Sequence, residues 1–318
     1  MSQLVLPSKV IICEVSPRDG FQAEHDWIPT ETKVDIIRKL ATTGIKSMEI
    51  SSFVHPLAIP QLKDAEQVVA QTQDITDIKF RALVPNVRGA QRAIDVGIKK
   101  LKLMLSATDS HSLSIANATV EEAQNSLEPI IELAMKNNVK VGGSISVAFG
   151  CPYGGIVPIE KLLPIMERYK KMGITEVSLA DTTGMANPSQ VYNYIGVLKV
   201  LFPNITFSLH LHDTRGMAFA NAVAALQQGV VNFDSSIAGL GGCPYAPGAT
   251  GNIASEDLVH AFEEMGIDTG IDLDHMIDVS KHVIRLLGKT TKNSYMLQAG
   301  PNSKLRSKPT RQIKIESY

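Results

Sequence analysis

The chain has 318 residues, 44% of them hydrophobic and 20% charged, with a formal net charge of −1. Its 31 basic residues against 32 acidic ones leave no cationic excess to neutralise a nucleic-acid backbone, so nucleic acid is excluded as the expected partner. No apolar run approaches the roughly 20 residues of a membrane span, so no membrane partner is expected, and a chain of this length needs no disulfide staple.

The first β-rich run, residues 10–15, feeds into Glu14-Val15-Ser16-Pro17-Arg18-Asp19-Gly20. Asp19 can offer a hard oxygen ligand, and Arg18 can stabilise negative charge developing on a substrate oxygen. The same two residues also read as a structural Arg–Asp pair closing a turn. In 31–43, Val34, Ile37 and Leu40, with Ile36 beside them, form a helical stripe, with Thr30 as expected N-cap and Gly44 as the stop. The second strand, 47–52, carries Glu49, which can orient a ligand, move a proton or act through a supporting hydrogen bond. Strands are expected at 80–84 and 100–107, separated by a helix at 86–96 that follows Pro85 and ends at Gly97. Helix 119–136 has Glu121 and Glu122 in its first turn, where carboxylates suit the helix dipole.

The fifth strand, 140–149, leads into Cys151-Pro152-Tyr153-Gly154, read as structural. Helix 158–171 stops at Gly173, and strand 176–181 ends on Asp181, open to the same two readings as Glu49. A helix over 188–201 precedes the seventh strand, 206–213, which contains His210-Leu211-His212-Asp213. Side chains alternate along a strand, so His210 and His212 face one side and can ligate one cation. Paired histidines also occur as hydrogen-bonded core residues. After helix 218–228 and the eighth strand, 232–239, come Ala238-Gly-Leu-Gly-Gly-Cys243-Pro-Tyr-Ala-Pro-Gly248 and then Gly251-Asn252. The glycines allow close approach to a ligand, a cysteine on such a loop can serve as a proton donor, and the Asn252 amide oxygen suits Mg²⁺ or Mn²⁺. An ordinary glycine-rich loop is the alternative. Helix 255–265 and one further helix, 274–287, complete the pattern.

Eight strand–helix units in series predict an α/β fold, a closed parallel (β/α)8 TIM barrel over about residues 8–270. The remainder, 271–318, adds a C-terminal helix and tail, and the whole is expected to be one catalytic domain. A doubly wound sheet is the rival, but the candidate residues cluster at strand ends, where barrels carry their sites. Cys13, Cys151 and Cys243 are too sparse for a disulfide framework and suit a reducing cytoplasm, and no secretory signal is expected in residues 1–10. His25, His55, His111, His260, His275 and His282 lack a paired context and read as surface or structural.

From residue 10 to about residue 287 the chain resembles the 3-hydroxy-3-methylglutaryl-CoA lyase family of metal-dependent barrel lyases. The likeness is carried by Pro17-Arg18-Asp19-Gly20, Ser52-Phe53-Val54, His210-Leu211-His212-Asp213-Thr214 and Ala238-Gly-Leu-Gly-Gly-Cys-Pro-Tyr245. The resemblance implies a divalent cation, Mg²⁺ or Mn²⁺, on Asp19, His210, His212 and Asn252, with Arg18 stabilising an enolate and Cys243 acting as acid/base. It also implies active-site positions for Gln22, Glu49 and Asp181, and an acyl-CoA thioester as partner, leaving homo-oligomerisation open. The implied reaction splits 3-hydroxy-3-methylglutaryl-CoA into acetyl-CoA and acetoacetate. A citramalyl-CoA or other 3-hydroxyacyl-CoA lyase is the near alternative, and a Claisen-condensing acyltransferase the distant one. Ala23, Leu57-Ala58 and Leu113-Ser114-Ile115 depart from the family pattern around an intact reaction centre.

Overall fold

The alternation of short strand-forming runs with amphipathic segments builds a ring of eight parallel strands. The computed structural model describes residues 5–242, 251–289 and 293–302. The strands are β1 (Ile11–Glu14), β2 (Ser47–Ser52), β3 (Lys79–Leu83) and β4 (Lys100–Ser106), then β5 (Lys140–Ser146), β6 (Glu176–Asp181), β7 (Thr206–Leu211) and β8 (Asn232–Ser235). Their order round the ring follows the sequence, and β1 pairs with β8 from Ile11 opposite Asn232 to Glu14 opposite Ser235. That last pairing removes the open edges that a doubly wound sheet would keep.

Strand periodicity decides what faces the centre. In β4, Leu101 and Leu103 are buried away from the mouth cavity, while Lys102, Met104 and Ser106 line it. In β7, Phe207, Leu209 and Leu211 are buried among the helices, while His210 and His212 line the mouth. The helix Leu273–Leu286 follows the barrel, capped by Asp272, which accepts from His275 N at 3.0 Å.

Several boundaries differ from the sequence reading for identifiable reasons. The expected helix 119–136 is two helices, Val120–Asn125 and Glu128–Lys136. Pro129 has no N–H to offer the Asn125 carbonyl, so the first helix cannot run through. Strands five and eight end before 149 and 239, where Val147 (φ 50°) and Ala238 (φ 53°) turn into left-handed conformation. Thr30 is not an N-cap. It lies in the helix Thr30–Ala41, and its hydroxyl donates to Asp64 at 2.8 Å. The short helices Ala65–Ala70 and Asp109–Ala116 and the hairpin pairing Gly150–Cys151 with Gly155–Ile156 were not foreseen.

The second glycine of β5, Gly143, has a packing reason. Tyr169, fully buried, lies against Gly143 and donates its hydroxyl to the Ser144 carbonyl at 2.9 Å. A Cβ on Gly143 would stand 2.7 Å from that ring. Gly143→Ala is therefore expected to lower stability by about 1–3 kcal/mol through overpacking, read as a reduced urea midpoint. An unchanged midpoint would show that the ring has room to retreat.

Candidate active site at the barrel mouth

Directly after β1 the Val15 carbonyl accepts from three successive backbone N–H groups, Arg18 (3.1 Å), Asp19 (2.7 Å) and Gly20 (3.4 Å). The result is one turn of π-helix, Ser16–Gly20, a wide turn often found at functional sites. It sets Arg18 and Asp19 side by side at the mouth. The Arg18 guanidinium bonds Asp19 through Nη1 and Glu49 through Nε.

Asp19 meets the two β7 histidines across the opening. Its Oδ2 lies 3.7 Å from both His210 Nε2 and His212 Nε2, which are 3.2 Å from each other. Ligand atoms of Asp19, His210 and His212 all fall within 4.8 Å of one another, close enough to share a cation. His210 Nδ1 stands 3.3 Å from Asp234 Oδ2, so a proton on Nδ1 is satisfied there and Nε2 points toward Asp19 and His212. Burial pushes the Asp19 carboxyl up, but Arg18 first, then the histidines and the Asn252 amide, outweigh it and hold it at about 2. Asp19 is a carboxylate at any working pH.

Asn252 reaches this cluster from far along the chain. Residues around it pair with the strand ends: Ile253 N donates to Leu211 O (3.0 Å), Asp213 N to Gly251 O (3.1 Å), and His212 bridges Asn252. Asn252 Nδ2 donates to Asp19 Oδ2 (2.7 Å) and Leu240 O (3.0 Å). Its Oδ1 is buried with no hydrogen-bond partner among the described residues. An orphaned amide oxygen beside one carboxylate and two imidazoles is a donor set that fits a divalent cation.

Below the mouth lies a charge network that the sequence reading missed. Arg81 donates to Glu49 Oε2 and Asp234 Oδ2, both at 2.7 Å. Lys102 Nζ is 3.0 Å from Glu49 Oε2 and 3.1 Å from Asp234 Oδ2. Arg81, Lys102 and Asp234 are charged residues in the interior of strands, each flanked by an apolar residue, and that was the available signal. Burial opposes ionisation of Glu49, yet Arg18, Lys102 and Arg81 together hold its carboxyl well below the usual range. Glu49 thus stands behind Arg18, and it is absent from the cavity wall.

The glycine-rich loop is shaped by close approach. A Cβ on Gly241 (φ 115°) would stand 2.5 Å from Asn252 Nδ2, and one on Gly251 would meet the Gly239 carbonyl at 1.7 Å. Two buried carboxyls anchor this loop. Glu14 accepts from Ile237 N (3.1 Å) and Ser255 Oγ (2.6 Å), and Glu256 accepts from Ala238 N (3.0 Å) and Ser280 Oγ (3.2 Å). Burial raises both groups, Glu256 to about 7. The remaining candidate on this loop, Cys243, lies outside the described residues.

A cavity of about 740 Å³ opens above these groups, lined by Arg18, Asp19, Gln22, Lys102, His210 and His212. Asp181 stands just behind the wall formed by Ala180 and Thr182. It accepts from Met185 N (2.8 Å) and Ala186 N (3.1 Å), and burial raises its carboxyl to about 6. His111, expected at the surface or in a structural place, is 2% exposed and forms part of the cavity wall.

Residues 9–283 match the model of the HMGL-like family. The chain is 43% identical over 283 residues to hydroxymethylglutaryl-CoA lyase of Bacillus subtilis, covering 89% of this chain and 95% of that one. It is 37% identical over 300 residues to the cytoplasmic 3-hydroxy-3-methylglutaryl-CoA lyase of Rattus norvegicus, covering 94% and 87%. Among solved structures, an HMG-CoA lyase from Acinetobacter baumannii in complex with coenzyme A and 3-methylmalate superposes with a TM-score of 0.91. It has 41% sequence identity and covers 95% of this chain and 98% of that one.

Because the Glu256 carboxyl is raised in the folded chain, its contribution to stability is fully present below about pH 4.5. It is lost as pH rises through about 7. The loss amounts to about 3 kcal/mol at most. Urea titrations at pH 5 and pH 7.5 should show Glu256→Gln with a smaller drop between the two pH values than the parent. Identical drops would mean that Glu256 does not titrate in this window.

Proposed function

This chain belongs to the HMGL-like family, and from that premise we propose that it cleaves 3-hydroxy-3-methylglutaryl-CoA to acetyl-CoA and acetoacetate. The observation that carries the reading is the meeting of Asp19, His210 and His212 within 4.8 Å, beside the ion-paired Arg18, at the mouth of a barrel. Asp19, His210, His212 and Asn252 would hold a divalent cation, Mg²⁺ or Mn²⁺. When bound, the cation supplies Lewis acidity toward the substrate hydroxyl.

The chain's own residues supply the rest. The 3-hydroxyl proton passes to a base, for which Asp181 and His210 are the candidates. Asp181, raised to about 6 by burial, stands behind Ala180 and Thr182, so a proton would have to pass that wall to reach it, whereas His210 lines the cavity. The bond between C2 and C3 then breaks. C3 becomes the ketone of acetoacetate, and the electron pair passes into the thioester as an enolate. Arg18, fixed on two carboxylates, has its guanidinium at the cavity wall, ready for the enolate oxygen. Protonation at C2 releases acetyl-CoA, a step for which we assign Cys243. Gln22 lines the cavity and would contact the substrate. We read the whole as one catalytic domain working in the cytoplasm, which accords with the free thiols of Cys13 and Cys151.

Incubating the purified protein with 3-hydroxy-3-methylglutaryl-CoA and Mg²⁺ or Mn²⁺ should yield acetoacetate. Offering citramalyl-CoA in parallel tests the narrower alternative, because that substrate would yield pyruvate. Exhaustive chelation should abolish turnover, and either cation should restore it. Full turnover in metal-free protein would remove the basis of the assignment. Arg18→Gln should keep the fold by circular dichroism and lose about 10²–10³ in kcat, the typical cost of removing one charge stabiliser. A kcat near that of the parent would take Arg18 out of the chemistry.

A further inference from the structure

The cavity wall that faces the cation-binding side is built by β4, β5 and the helix Asp109–Ala116. In the ring, β4 lies halfway round from β8, so groups at its end look across the opening toward the Arg18 side. His111 belongs to the first turn after β4. Its backbone N–H is capped by Thr108 Oγ1, and its ring Nδ1 lies 2.8 Å from Ser106 Oγ. The ring is 2% exposed, and what remains open belongs to the cavity, among Ser106, Ser144, Ser146, Met104 and Ile115. Among the described residues nothing bonds its second nitrogen, Nε2.

With Nδ1 locked on a hydroxyl, the imidazole is left with one nitrogen, Nε2, to direct a hydrogen bond into the cavity that the ring lines. We propose that His111 is a further substrate-contacting residue, donating a hydrogen bond from Nε2–H to an oxygen of the acyl thioester held between it and Arg18. The assignment rests on the reading of this cavity as the acyl-thioester site. Ser106 acts as a positioning residue: with its hydroxyl donating to Nδ1, the tautomer carries its hydrogen on Nε2. Burial lowers the His111 pKa to about 4, so the ring stays neutral at working pH. It therefore adds a directed donor without adding a charge near the cation.

The test uses the full-length, metal-loaded protein and its variants His111→Leu, His111→Gln and Ser106→Ala. His111→Leu should lower kcat/KM about 10- to 100-fold, and His111→Gln, which keeps an N–H donor, should recover to within about fivefold of the parent. Mn²⁺ affinity, measured by electron paramagnetic resonance, should stay within about twofold in both. A merely structural role would instead weaken Mn²⁺ binding and thermal stability in both variants alike, and that result would overturn the assignment. So would a His111→Leu protein with parental kcat/KM. Should His111→Leu not fold, Ser106→Ala decides: a fall of about three- to tenfold supports the oriented ring, and an unchanged value overturns it. Binding of a non-cleavable thioether analogue of the substrate, followed by calorimetry, needs no turnover. Analogue binding weakened about tenfold by His111→Leu supports the contact even if the parent cleaves nothing, an outcome that would count only against the lyase reading.

Discussion

The interior of this barrel is organised by a balance of buried charge. Arg18, Arg81 and Lys102 face Asp19, Glu49 and Asp234, and every one of these side chains is bonded to opposite charge. Taking one such ion out of water costs several kcal/mol, which neighbours recover only when the geometry is good. Glu49 is shared by Arg18, Arg81 and Lys102, and Asp234 by Arg81 and Lys102, so removing either leaves each basic group one partner but gives the buried cluster one positive charge in excess. The network also fixes direction. Glu49 aims the Arg18 guanidinium, and Asp234 orients the His210 ring so that its Nε2 faces Asp19. Electrostatic preorganisation of the mouth thus begins one layer below it.

The second element of the design is main chain rather than side chain. Asn252 is held by backbone bonds to the ends of β7, and the glycines at 239, 241 and 251 let that strand-like segment pass where any Cβ would collide. Buried Glu14 and Glu256 then fasten the segment Ile237–Ala238 by its own N–H groups. Glycine at 239, 241 and 251 follows from this crowding.

Much of this was legible in the sequence. Eight strands and the helices between them followed from apolar periodicity and from glycine and proline stops. The His210-x-His212 alternation put both rings on one face without any coordinates. Other features were hidden for physical reasons. The π turn at Ser16–Gly20 leaves no periodic signature, and the left-handed turns at Val147 and Ala238 fall on residues that do not advertise them. Arg81, Lys102 and Asp234 were overlooked because a charged residue inside a strand shows its meaning only when its partners, on other strands, are known. His111 was set aside for the same cause: nothing nearby in the sequence reveals that its ring turns inward.

The hydrogen bond between Asp19 and Asn252 joins residues 233 positions apart. During synthesis, then, Asp19 emerges long before Asn252, and no shorter stretch of chain contains both. The long loop must close, with its entropic cost, before the two can meet. Completion of the mouth is thereby deferred until the last strands of the ring are in place.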